Sequence, residues 1–292
     1  MDVVVTPPIV EIPKPHAYSK LIPEVPLLLS GSFGGPFVVF TLTPLRNALT
    51  LASQDRSSSA LQIYKQVFGG GFRRGWTGGV YPSIPAVPQF VTLGPMYHIY
   101  TSLAGPYAAL LLTAATETAF TFGAQSRNAQ LAFNESVPPS RRLTRISSTF
   151  TLVGPGLLAH VMRNCVGMTG IRVFSTPVRA ELDKAFPQSS DKVKRTASDF
   201  IGSLISGVLS TPFHQMFNYL ATSDAQHVTR VERLRMAKSF LKSQYFVRTE
   251  SGKLRPSKAM LRDIALRSVY SMGLFGIYAT IERSLVDYWY AN

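Results

Sequence analysis

Residues 75–116 read GWTGGVYPSIPAVPQFVTLGPMYHIYTSLAGPYAALLLTAAT, 42 consecutive positions without Asp, Glu, Lys or Arg. A membrane-crossing helix needs about 20 apolar residues, so this length suits two crossings joined by a tight turn. Outward from it lie four more uncharged stretches, at 25–45, 146–162, 200–223 and 268–281. The stretch at 146–162 continues past Arg163 to Ile171, and the last extends back past Arg267. The expectation is six spans. Pro, Gly, Ser and Thr interrupt all of them, as membrane helices tolerate better than soluble ones. Composition agrees, with 46% hydrophobic and 16% charged residues, where a soluble chain carries about 25% charged. A disordered basic chain would be less apolar, and the single Cys165 excludes a disulfide scaffold.

The net charge of +14 suggests a polyanion partner until its distribution is read. Segments 46–74, 117–145 and 224–267 together carry +13. If the spans alternate, these three lie on one side. The other side, comprising 1–24, the turn near Ser102, 172–199 and 282–292, sums to zero, and Arg163 inside a span completes the total. In Lys and Arg alone the split is 20 against 9, and both termini face the less basic side. A nucleic-acid binder would interleave aromatics with its basic residues; here the aromatics lie mostly in the uncharged stretches, which argues against nucleic acid. Residues 1–24 form a Pro-rich tail, with neither an Arg-rich presequence nor a secretory h-region.

The spans repeat. Gly34-Gly35-Pro36-Phe37 through Pro44 resembles Ala104-Gly105-Pro106-Tyr107 through Ala114 at an offset of 70, and a third version ends at Ser210-Thr211-Pro212. Among the even spans, Pro88-Gln89-Phe90-Val91 aligns with Arg163-Asn164-Cys165-Val166 and Arg267-Ser268-Val269-Tyr270. The expected fold is therefore all-α and integral to a membrane. Six transmembrane helices would be arranged as three tandem helix–loop–helix repeats (25–101, 102–180, 181–292) with pseudo-threefold symmetry.

This pattern resembles the mitochondrial carrier family over residues 25–290, most completely in the first repeat. There, Gly31 and Gly35 permit close helix packing, Pro44 follows late in the odd helix, and Gly71, Trp76-Thr77-Gly78 and Pro88 stand at the family's spacing. The resemblance implies that Pro44 and Pro212 kink their helices. It also implies paired charges after each kink, in the pattern Pro-x-acidic-x-x-basic. The corresponding positions hold Arg46 and Leu49, Thr116 and Ala119, and His214 and Phe217, with Glu117 one residue out of register. No copy has a complete pair. The opposite gate is equally incomplete, at Tyr97-His98, Phe174-Ser175 and Glu282-Arg283.

Arg163 and Arg267 are the cavity candidates, with His160 and His214 near them. A charge inside a membrane faces a cavity, a polar partner or headgroups, so these readings stay open, as does a purely structural hydrogen bond from His214. The resemblance further implies bound cardiolipin, for which Gly71, Arg73, Arg74 and Gly78 are the headgroup candidates. The five histidines are scattered, so no metal site is expected; no other cofactor and no enzymatic activity is expected either. Trp76 and Tyr288-Trp289-Tyr290 read as interfacial anchors.

Loss of both gates points to a structural, accessory or assembly component of a mitochondrial membrane, inner rather than outer. Its termini would face the intermembrane space, and its partners would be the lipid bilayer, anionic phospholipid and other proteins. The alternative is a transporter of a small solute, an anion included, with neutral gates.

Overall fold

In α8 (Asp191–Thr222), Ser198, Gly202, Ser203, Ser206, Gly207 and Ser210 are buried, while Phe200, Ile201, Leu204, Val208 and Leu209 are exposed. Small polar residues face inward and large aliphatic ones outward, the reverse of a soluble helix. This inversion recurs through the computed structural model, which describes residues 25–223 and 228–291. The Pro-rich tail, with His16, and His227 lie outside the described residues.

The chain is mostly helical. Its first rod comprises α1 (Val25–Leu29), a π-turn (Ser30–Gly34), α2 (Gly35–Thr41) and α3 (Thr43–Gln54). The helix breaks at Leu42, whose φ is −87° and ψ 9°, and restarts with Pro44 in the first turn of α3. Proline fits there because a first-turn N–H has no intrahelical acceptor. The short α4 (Ala60–Val67) begins at a capping box between Ser59 and Gln62. A 3₁₀ turn (Phe72–Trp76) then leads to α5 (Val80–Ser136).

At Gly105, with φ 81° and ψ 167°, α5 turns back on itself. Only glycine adopts that backbone cheaply. Tyr100 then meets Thr116 at 3.0 Å, and Gln89 meets Glu117 at 2.7 Å, so the two halves run antiparallel. This is the tight turn expected near Ser102. Beyond it come α6 (Leu157–Thr169), a π-turn (Gly170–Phe174), α7 (Ser175–Ala185), α8, α9 (Arg230–Tyr245), a hairpin of β1 (Phe246–Arg248) with β2 (Leu254–Pro256), and α10 (Lys258–Ala291).

These rods close a ring. The first rod packs on the first half of α5, the second half of α5 on α6, α6 on α8, α8 on α10, and α10 back on the first rod. Small residues set the spacing. A methyl group on Gly35 would sit 2.5 Å from the Phe90 ring, and one on Gly202 would sit 2.5 Å from the Gly170 carbonyl. At the end rich in basic loops, Arg262 rivets α10 to α3. It donates to the carbonyls of Ala52, Asp55 and Ser58 and pairs with buried Asp263 at 2.8 Å.

Several sequence expectations need correcting. The basic segments are not wholly loop: α3 extends to Gln54, α5 to Ser136, and α10 begins at Lys258. Hydrophobicity marked only the outer parts of these helices, because their inner ends carry charge. The three repeats also differ in their connections. The first and third have surface helices α4 and α9, whereas 137–156 is largely non-helical, with one 3₁₀ turn (Pro139–Arg141). Trp76 packs in an aromatic group with Phe72 at 4.7 Å and Phe68 at 6.2 Å, more than an interfacial anchor requires. Finally, one helix among the described residues, Lys258–Tyr290, is long and apolar enough to cross a membrane by length and composition. Of the others, α1, α2, α3, α6 and α7 are individually shorter than a span, and in α8 the inward Ser, Thr and Gly dilute the hydropathy.

Two consequences are measurable. Arg262→Ala removes a donor from the Ala52, Asp55 and Ser58 carbonyls and leaves Asp263 buried without its cation, with Gln244 Nε2 as a neighbouring donor, which should destabilise the fold by about 3–5 kcal/mol in thermal or denaturant unfolding. Asp55, just after α3, is subject to burial that acts to raise its pKa, but hydrogen bonds from Ser57 and Ser58 outweigh this and hold it at about 2, against an ordinary 3.8. A depressed carboxyl stabilises the fold above its ordinary pKa, and that contribution fades as pH falls toward 2. The Asp55→Asn protein should lack this acid-dependent component when unfolding is followed between about pH 4 and 2.

Candidate polar cavity

Three helices turn the same pattern inward. In α3 the buried residues include Thr43, Arg46, Asn47 and Thr50; in the second half of α5 they include Ala114, Glu117, Thr118 and Thr121; in α8 they include Thr211, His214, Gln215 and Asn218. Each set follows the i, i+3, i+4, i+7 spacing of one helix face. Arg46, Glu117 and His214 therefore occupy equivalent places. Thr116 is only half-buried and Ala119 is exposed, so these two expected gate positions are corrected by one residue. A long uncharged stretch offers nothing to fix the register of its helix, which explains the slip. With Glu117 in place the second copy has its acid, but Phe120 stands at the basic position, so no copy forms an ion pair.

The intervening helices contribute the residues that aligned in sequence. Gln89 comes from the first half of α5, Arg163 and Asn164 from α6, and Arg267 and Tyr270 from α10. Together with Arg46, Glu117, Gln125 and His214 they line one space of about 750 Å³, counted out to its solvent-open mouth. His160 lies behind Arg163, its Nε2 2.9 Å from Arg163 Nη2.

The three arginines are buried, at 5% exposure for Arg46 and Arg163 and 8% for Arg267. Among the described residues none of them is ion-paired with a carboxylate. Their engagements differ. Arg163 is tied down: Nε and Nη2 donate to Asn164 Oδ1 at 2.9 and 2.6 Å, and Nη1 donates to Gln125 Oε1 at 2.8 Å. Arg46 donates through Nη2 to the Tyr270 hydroxyl at 2.9 Å and leaves Nη1 buried without an acceptor. Arg267 has a single side-chain bond, from Nε to Ser210 Oγ at 3.4 Å. Both Arg46 and Arg267 lie over the Tyr270 ring, at 5.7 and 5.2 Å from its centre, a favourable placement for a cation. Neither ring nitrogen of buried His214 has a partner.

The remaining gate residues are apolar packing. Leu49 is fully buried in the cluster joining α3, α4 and α10. Phe217 is buried with Phe122 and Ala159, and its ring meets the His160 ring edge-on at 4.8 Å. At two of the positions where the expected pattern has a basic residue, Leu49 and Phe217, the side chain makes hydrophobic contact instead.

The headgroup candidates separate. Gly71, with φ 106°, and Arg73 remain at the surface. The Arg74 guanidinium donates to the Glu135 carbonyl. Gly78, with φ 72°, packs on Asn128, where an added methyl would meet Nδ2 at 2.8 Å. The surface helix α4 also precedes these glycines, so Gly71 opens only a short 3₁₀ turn.

Sequence reasoning missed Gln89, Glu117, Gln125, Asn164 and Tyr270 as cavity residues. Gln89 and Asn164 carried a signal, standing in step with Ser268 in the even-span alignment. Glu117 carried another, as the acid that ends the longest uncharged run.

No protein-family model matches the sequence, and no curated protein matches it.

Changes at two of the three cavity arginines should have opposite effects on stability. Asn164→Ala removes the acceptor that holds buried Arg163 and should cost about 1–3 kcal/mol, seen as a fall in Tm in detergent. Arg267→Gln removes a barely satisfied charge and should leave Tm unchanged or raise it.

Proposed function

We propose that this protein is a membrane-embedded helical ring that binds a small anion in its central cavity and passes it across the bilayer. The observation that carries this reading is three buried guanidiniums around one space, with one carboxyl group among them, with Arg46 Nη1 buried and without an acceptor and Arg267 held by one long hydrogen bond to Ser210. Buried charge is costly unless neutralised, and an anion supplies what the protein withholds. Placement in a bilayer is supported by the packing, in which many Ser, Thr, Asn, Gln and Arg side chains are buried beside the apolar clusters while many Phe, Leu and Val side chains are exposed. In lipid, that exterior is the well-solvated one.

The charge distribution supports an orientation with the basic loops on the matrix side of the inner mitochondrial membrane, as does the resemblance to carriers. Anionic phospholipid would then face α9, whose Arg230, Arg235, Lys238 and Lys242 are exposed. The gates in this reading are apolar layers around Leu49 and Phe217, which open by side-chain and helix displacement without breaking ion pairs.

A second reading has one observation in its favour. Leu49 and Phe217 are packed as static core residues are, which suits a scaffold that never opens. Uptake into liposomes separates the two. The transport reading expects saturable uptake of at least one small anion from a metabolite panel, reduced by about 10–100-fold in Arg46→Gln and Arg267→Gln, the loss expected for a hydrogen bond to a charged group. Uptake no greater than in empty liposomes across an anion panel would favour the scaffold.

A further inference from the structure

Anion binding leaves one cavity group without a use. Glu117 is the only acidic side chain among the described residues that line the space. Its carboxyl accepts one side-chain hydrogen bond, from Gln89 Nε2 to Oε1 at 2.7 Å. Across the space it faces Arg46 of α3, Arg163 and Asn164 of α6 with His160 behind them, His214 of α8, and Arg267 and Tyr270 of α10. Every charged group opposite it is a cation, and the ligand these cations attract has the same sign as Glu117 itself.

We infer that the cavity takes up its anion together with a proton, and that Glu117 holds that proton. This rests on the anion-site reading above. Two negative charges in one poorly solvated space repel strongly, so an arriving anion raises the proton affinity of the carboxyl beside it. The proton comes from solvent and adds to a carboxylate oxygen; no other bond forms or breaks. Once protonated, the carboxyl turns from a competitor for the arginines into a donor toward the anion. By linkage, binding tightens as pH falls, by up to about tenfold per pH unit for one coupled proton. The shared ligand chemistry is a compact dianion, whether tetrahedral or a dicarboxylate.

The rival proton site is His214, whose two ring nitrogens lack partners. His160 is already engaged, through Nε2 with Arg163 and through Nδ1 near Thr118 and Asn164, both at 3.3 Å.

The test is calorimetric titration of the full chain in detergent with sulfate and with oxalate, both ionised throughout the range from about pH 6 to 8. Repeating it in buffers of different ionisation enthalpy counts the protons taken up. The expected result is tighter binding at lower pH with close to one proton absorbed. Glu117→Gln should bind the same anions with little pH dependence and no proton uptake, and Glu117→Asp should retain the slope. Anion binding without proton uptake in the native protein overturns the inference and leaves the anion site standing. So does a pH slope that survives in Glu117→Gln and disappears in His214→Asn. Failure of both anions to bind native protein at any pH overturns the anion site and the proton coupling together.

Discussion

Three guanidiniums share one buried space with a single carboxyl group, and much of the structure can be understood as what makes that imbalance tolerable. A buried arginine without an acidic partner must satisfy its donors by other means. Arg163 does so completely, through Asn164, Gln125 and His160. Arg46 does so in part, with a tyrosine hydroxyl, and Arg267 hardly at all. The gradient from satisfied to unsatisfied donors points across the cavity from α6 toward α3 and α10.

The contrast with Arg262 is instructive. That arginine sits at the same interface of α3 and α10, paired with Asp263 and bonded to three carbonyls. The chain therefore can supply a buried arginine with full partners where it needs a fixed joint. At Arg46 and Arg267 it does not. One turn further along α3 and α8 from the cavity residues Arg46 and His214 stand Leu49 and Phe217, which are packed in apolar clusters.

Much of the helix order was readable in the sequence because outward faces of Leu, Val and Phe with small inward residues write long uncharged stretches. The turn inside 75–116 and the glycine approaches at Gly31 and Gly35 followed from spacing alone, as did the alignment of Gln89, Asn164 and Ser268. Registration of a helix within an uncharged stretch was not readable, because no polar residue marks its inward face; hence the slip at Thr116 and Glu117. Helix ends were also hidden. Burial by neighbouring helices lets Arg46, Glu117 and Arg267 sit in helical interior, whereas composition assigned them to loops. The difference between Arg163 and Arg267 depended on long-range partners such as Gln125 and Ser210, which spacing does not reveal.

The inverted packing reverses the usual hierarchy of mutational tolerance. In an aqueous globule, deleting volume from the interior is the dangerous change, because a cavity opens in a greasy core. Here several helix contacts are made by residues with almost no volume to delete, as where Gly170 meets Gly202 and Ser206. Truncation at those seams has little to remove, while a single added methyl forces two backbones apart. The outward leucines and phenylalanines can exchange among themselves freely. Selection on such a chain would hold the small residues fixed and let the large ones drift, so its recognisable skeleton would be a sparse set of glycines and serines.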